Sequence, residues 1–225
     1  MRPRRESAQG DAPRPGGRPA SLDVLRLGSL LLEYPDEELF AATAAMRAIT
    51  QEVPGRAGRE LCGFLDLRAE LGRDRAQAEY VATFDFHKRA SLHLSYFRDG
   101  DRRQRGATLL GLKRRYREAG LELQGGELPD YLPAILEFAA LAPGADADAV
   151  LARMRPGIEL LRAALHDIAS PYSAVLDAVV STLPALSAEE LAEARRIARE
   201  GPPDEEVGLE PFAPPEVMPL EGALR

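Results

Sequence analysis

The sequence predicts an all-α fold, one helical bundle flanked by two tails. Three observations carry that prediction. Apolar residues recur at helical spacing from Leu22 onward, and no segment shows the period-two alternation of a half-buried strand. The 45% of hydrophobic residues is mostly Leu, Ala, Val and Ile, with only 6% aromatics and no Trp; Leu and Ala are strong helix formers. Gly and Pro fall mainly where one apolar run gives way to the next. A chain of 225 residues fits one domain with tails, and no repeat of solenoid period is present.

The elements follow in order. Leu22, Leu25, Leu27, Leu30, Leu31 and Leu32 load a first helix that ends at Tyr34-Pro35, because the residue before a proline is driven out of helical geometry. Asp36 is placed to cap a second helix running through Leu39, Phe40, Ala44 and Met46 to a break at Pro54-Gly55. Leu61, Phe64, Leu65 and Leu71 mark a third, stopped by Gly72, and Ala76, Tyr80, Val81 and Phe84 a fourth. After a loop around Asp99-Gly100-Asp101, Leu109, Leu112 and Tyr116 carry a fifth, closed by Gly120. Pro129-Asp130 opens a sixth through Leu132, Ile135, Leu136 and Phe138, stopped near Pro143-Gly144. Val150 to Ile168 load a long seventh, with a disturbance expected at Pro156. Tyr172, Val175, Leu176 and Val179 make an eighth, and Ser187 with Glu190 forms a capping-box pattern for a ninth.

Residues 1–20 are rich in Pro, Gly and Arg, with five arginines against two acids, and read as a disordered basic tail. Residues 201–225 carry six acids against Arg225 and read as a disordered acidic, Pro-rich tail. Phe212, Met218 and Leu220 lie within it, which suggests that it covers a groove of the helical domain, residues 21–200. The net charge of −7 disfavours general nucleic-acid affinity. A lone Cys62 suits a reducing compartment. No apolar run is long enough to span a membrane, and Arg4-Arg5 is followed by polar sequence rather than a signal-peptide core. The chain reads as cytoplasmic.

Catalytic patterns are sparse. His87 and His93 are six apart, whereas ligands on one helix face sit three or four apart, so no metal site is expected. No Gly-x-Ser-x-Gly elbow and no Gly-rich phosphate loop occur. Asp99 and Asp101 around Gly100 read as a turn whose acids cap the next helix, since a calcium loop needs about six oxygen ligands. The run Arg102, Arg103, Arg105, Lys113, Arg114, Arg115 and Arg117 reads equally as a solvated helix face or as a patch for an acidic partner segment or phosphate. Tyr80 and Phe84 share a helix face and default to core; of the neighbours Tyr96 and Phe97, one is expected to line a groove.

The segment from Tyr80 to Leu123, YVATFDFHKRASLHLSYFRDGDRRQRGATLLGLKRRYREAGLEL, together with ELPDYLPAILEFAAL and the upstream LLLEYPDEEL, resembles the NarJ family of respiratory nitrate reductase assembly chaperones, relatives of TorD and DmsD. The resemblance spans about Leu22 to Leu186. It implies an all-helical, non-enzymatic cytoplasmic protein. Such a protein binds the N-terminal segment of the nitrate reductase catalytic subunit and supports insertion of molybdenum cofactor without holding it stably. It also delays membrane docking and works alongside the proteins that deliver the cofactor. The Pro-Asp-His motif of the wider family reads Pro129-Asp130-Tyr131 here, which removes a group able to become a cation near neutral pH.

A chaperone of one peptide helix needs an apolar groove with a charged rim. On that expectation Tyr80, Phe84, Tyr96, Leu132, Pro133 and Leu136 form the groove, and Asp130 and Glu137 meet basic client residues. Arg102 and Arg105 order the loop around Asp99 and Asp101. The alternatives are a chaperone of another molybdoenzyme and, from a different class, a small helical enzyme using Asp85, His87 and His93.

Overall fold

A computed structural model describes residues 19–96, 103–123 and 126–187, together with residues 189, 192 and 196. Among the described residues the chain forms nine α-helices: α1 (Ala20–Leu31), α2 (Glu37–Ala41), α3 (Thr43–Glu52), α4 (Gly55–Leu71), α5 (Arg73–Phe84), α6 (Arg103–Glu118), α7 (Leu132–Leu141), α8 (Ala145–Asp167) and α9 (Tyr172–Ser181). A 3₁₀ turn at Lys88–Ala90 joins them. The all-α class holds, and the one β feature described is a single antiparallel bridge between His93 and Tyr131.

Most helices stand where the apolar spacing places them, and the departures have local causes. The second expected helix is two. Asp36 caps α2 by accepting from the Leu39 N–H at 2.8 Å, but the run stops at Ala42 (φ −73°, ψ −4°). There the Thr43 hydroxyl donates to the Phe40 carbonyl at 2.6 Å, competing for a backbone acceptor at the joint. The disturbance expected at Pro156 does not end α8, which runs through it. Packing against α7, α9 and the 3₁₀ turn holds the helix across the missing N–H. Helix α7 opens at Leu132, with Tyr131 at the cap position and Pro133 in the first turn, where a missing N–H is tolerated. Residues 1–18 of the first tail, the whole second tail and the Asp99–Gly100–Asp101 loop lie outside the described residues, while Pro19 caps α1 and Ala20 belongs to it; of the ninth expected helix, residues 189, 192 and 196 are helical.

The core is aliphatic. Leu27 and Leu31 of α1, Leu61 and Leu65 of α4, Leu132, Ile135 and Leu136 of α7, Ile158, Leu161 and Leu165 of α8, and Leu176 of α9 are all fully buried. Helix α1 lies along α7 and also touches α9 and α3, while α9 lies along α4 and α8. Gly28 marks the closest approach: a Cβ there would stand 2.6 Å from Val179 Cγ2 and 3.3 Å from Leu136 Cδ1. Glycine at this position therefore lets α1 sit down on α7 and α9 together.

Two substitutions test this packing by chemical unfolding. Gly28→Val overpacks the three-helix contact and should lower stability by about 1–3 kcal/mol. Gly63→Ala on α4, where nothing lies within 4 Å of an added Cβ, should raise it by about 0.5–1 kcal/mol through helix propensity alone.

Candidate functional site

The segment after the 3₁₀ turn is irregular, and one buried carboxylate organises it. Asp130 is fully buried. Its Oδ2 accepts from the Ser95 N–H at 3.2 Å and the Ser95 hydroxyl at 2.5 Å. His93 Nδ1 stands 3.4 Å from Oδ1, and Arg105 Nη2 of α6 lies 3.6 Å from Oδ2. Arg105 Nε also donates to Ser95 Oγ at 3.2 Å. The backbone joins in: Leu94 N–H donates to the Asp130 carbonyl at 3.1 Å and Leu132 N–H to the Leu92 carbonyl at 2.8 Å. Burial by itself would raise the Asp130 pKa. The His93 and Ser95 hydrogen bonds and the charges of His93 and Arg105 outweigh it and hold the carboxyl below its usual range.

This cluster is a lock rather than a catalytic triad. Serine and histidine both face the carboxylate, and no Ser–His hydrogen bond activates the hydroxyl. The other residues of the enzyme alternative are engaged elsewhere or open to solvent. His87 Nδ1 is 2.8 Å from the Ala82 carbonyl, and Asp85 is exposed. Among the described residues no cluster of three His, Cys, Asp or Glu could hold a metal.

Next to the lock, Tyr131 carries the connection outward. Its hydroxyl donates to Glu33 Oε2 at 3.2 Å and lies 3.5 Å from the Tyr80 hydroxyl, which itself donates to the Leu32 carbonyl at 3.3 Å. Burial pushes the Tyr80 phenol up to about 12 and the Tyr131 phenol higher, so both stay neutral donors.

Glu33 and Tyr131 stand at the edge of a groove of about 440 Å³ between α6, α7 and the connection joining them. Its apolar bed is Tyr116, Leu121, Leu123, Ala134, Phe138 and Leu141. The bed is firm beneath: Tyr116 and Phe138 rings pack at 4.7 Å, and the Tyr116 hydroxyl donates to the Pro129 carbonyl at 2.8 Å. Its rim is Glu33, Glu122, Glu127 and Glu137. Burial first, then the charges of Glu127, Glu137 and Asp36, raise the Glu33 pKa despite the Tyr131 hydrogen bond. Arg26 of α1 pairs with Glu137. The rim thus already holds one guanidinium against a carboxylate.

The structure redistributes the residues expected to form the client groove. Leu132, Pro133 and Leu136 are buried in the α7 core, and Tyr80 is only 8% exposed. Leu132, Pro133 and Leu136 lie on α7, which packs along α1, whereas Tyr80 of α5 packs on Tyr34, Phe84 and Tyr172. Leu136→Ala is therefore a core substitution that opens a cavity. The Asp130 oxygens are engaged by Ser95, His93 and Arg105. Phe84 is half-buried against Tyr80 and Tyr172, and Tyr96 is half-buried. Glu137 does stand on a groove rim. Arg105 belongs to the Asp130 lock, while Asp99, Asp101 and Arg102 lie outside the described residues. In the basic run, Arg115 pairs with Asp146 of α8 at 2.7 Å and Arg114 with Glu118 at 3.5 Å. The residues missed were Glu33, Glu122 and Glu127. The signal was the interleaving of Leu and Glu over Leu121–Leu123 and Glu127–Leu128, which sets carboxylates beside apolar side chains.

Comparison with known proteins gives this arrangement a family. A family model described as the nitrate reductase delta subunit matches residues 48–178, and the chain belongs to that family. It is 36% identical over 166 residues to a Bacillus subtilis (strain 168) protein described as a probable nitrate reductase molybdenum cofactor assembly chaperone NarJ, covering 73% of this chain and 90% of the relative. It is 35% identical over 156 residues to the nitrate reductase molybdenum cofactor assembly chaperone NarJ of Escherichia coli (strain K12), covering 66% of this chain and 64% of that protein. The nitrate reductase-like protein NarX of Mycobacterium tuberculosis (strain ATCC 25618 / H37Rv) is 34% identical over 163 residues, 71% of this chain but 24% of that longer protein. A solved structure from Archaeoglobus fulgidus, assigned as a redox enzyme maturation protein, superposes with a TM-score of 0.53 at 19% identity and covers 87% of this chain and 98% of that one. That likeness bears on the fold alone.

Asp130→Ala should cost about 3 kcal/mol of stability, because it leaves the Ser95 donors and Arg105 without their acceptor. A carboxyl held below its unfolded pKa contributes stability that is fully present above the ordinary carboxylate range and is lost as pH falls from that range through the lower folded-state pKa. Urea unfolding of both proteins across pH should therefore show the gap between them closing in acid.

Proposed function

We propose that this chain is an assembly chaperone for a respiratory nitrate reductase. It binds the N-terminal segment of the apo catalytic subunit in the cytoplasm, supports insertion of molybdenum cofactor, and delays membrane docking until the subunit is complete. In this reading it is not an enzyme. The observation that carries the proposal is the acidic groove: an apolar bed in a groove of about 440 Å³, edged by four glutamates. Such a surface suits an amphipathic helix with basic residues beside its apolar stripe. The names of the Bacillus and Escherichia relatives supply the client class.

The chemistry needs no covalent step. Leucines or aromatics of the client cover Leu121, Leu123 and Leu141, and its arginines or lysines meet Glu122, Glu127 and Glu33. Charge on the rim speeds encounter and sets the orientation, while apolar burial supplies most of the affinity. Molybdenum cofactor is cargo of the client in this scheme, and the delivery proteins are partners of the complex.

Titration calorimetry with the catalytic subunit's N-terminal peptide and a scrambled control tests the reading. Saturable binding of the first alone, at micromolar affinity or tighter, is the expected result. If the nitrate reductase peptide fails and the corresponding segment of another molybdoenzyme binds, the client is that enzyme. Glu122→Gln and Glu127→Gln should each weaken binding by up to about fivefold, the range of an exposed ion pair, with the loss fading in high salt. The raised Glu33 pKa fixes the sign of the pH dependence. A basic client favours the ionised carboxylate, so affinity should fall as pH drops from neutral and Glu33 takes up a proton ahead of an ordinary glutamate.

A further inference from the structure

The groove raises the question of what faces its glutamates when no client is bound. The chain itself offers an occupant of matching chemistry. Residues 1–18, MRPRRESAQGDAPRPGGR, hold Arg2, Arg4, Arg5, Arg14 and Arg18 against Glu6 and Asp11. We propose that this N-terminal segment docks through Arg2, Arg4 and Arg5 on the rim formed by Glu33, Glu122, Glu127 and Glu137 of its own chain, and competes there with the client. The inference rests on the reading of that groove as the client site.

Two observations carry it. The first is charge. The rim presents four carboxylates, and Arg26 already pairs with Glu137. Guanidinium binding to this rim is therefore a contact the protein makes with its own residues. The other terminal segment fits poorly: residues 201–225 carry six acids against one arginine, and like charges repel. On charge, the basic segment suits this rim better than the acidic one.

The second observation is reach. The described chain begins at Pro19, immediately before α1, and Glu33 lies just beyond the far end of that helix. Twelve helical residues rise about 18 Å, so the rim is about one helix length from residue 19. The connector from Glu6 to Arg18 spans up to about 45 Å when extended. A tether of that length covers the gap with slack, and an intramolecular ligand on a short tether acts at millimolar effective concentration. A weak arginine contact is then enough to hold the rim in the absence of client. A tightly binding client displaces it.

The consequence is a threshold. An N-terminal segment with its own arginine pair occupies the surface offered to a basic client, so the apparent affinity of every basic peptide falls by the same factor and, at a given concentration, only a tight binder still fills the groove.

The test uses the full-length protein. In the first measurement, the client peptide is titrated into wild type and into the Arg2→Gln/Arg4→Gln/Arg5→Gln variant at low salt. The variant should bind about three to ten times more tightly, and the gain should vanish at high salt. In the second, a spin label is placed on Ser7→Cys in a Cys62→Ser background, and the methyl resonances of Leu121, Leu123 and Leu141 are followed without client. Broadening that disappears in the triple-arginine variant is expected. Absent broadening with intact client binding overturns the docked segment and leaves the groove reading standing. Broadening without any client binding keeps the docked segment and removes the groove as a client site. Equal client affinity in wild type and variant overturns the competition.

Discussion

The Asp130 carboxylate is the contact on which the rest of the site depends. It is buried, ionised and shared among Ser95, His93 and Arg105, which belong to two different parts of the chain. A charge in that setting is stable only if every partner is in place. The lock therefore fixes the irregular 91–96 segment, the first turns of α6 and the entrance to α7 relative to one another. Gly157 supports the same junction from α8, where an added Cβ would stand 3.1 Å from the Leu94 carbonyl. Helix, bridge and carboxylate thus meet at one junction.

The groove inherits its shape from that junction. Tyr116 is anchored to the Pro129 carbonyl, one residue from Asp130, and Tyr131 is one residue beyond it. The floor's anchor and the edge of the groove are thus each one residue from the lock. Tyr131 hands the groove edge a neutral donor to Glu33. The apolar bed and the acidic rim thus lie side by side on one surface.

Much of the fold was legible in the sequence. Helical periodicity at Leu22–Leu32, Leu61–Leu71 and Val150–Ile168 gave the helices, and Asp36 gave a cap in the place expected. The joint at Ala42 was not legible, because a threonine hydroxyl and a backbone carbonyl decide it locally. Nor was the tolerance of Pro156, which rests on neighbours distant in sequence. The site was legible only in outline. An apolar groove with a charged rim was expected, but aromatic and leucine positions on α5 and α7 were assigned to it that pack into the core instead. Periodicity says which residues share a face and leaves open whether that face meets another helix or solvent.

The sequence by itself determined the helical class, the helix boundaries set by Pro, Gly and the Asp36 cap, and the family. These follow from local geometry and from short-range pattern. Tertiary structure alone decided the fate of each apolar and charged side chain. It turned Leu132, Leu136 and Asp130 inward and brought Glu33 beside Glu122, Glu127 and Glu137 across about one hundred residues of chain. The physical reason is that burial and charge proximity are properties of pairs of elements. They come into existence only when α1 settles on α7 and α9 at Gly28.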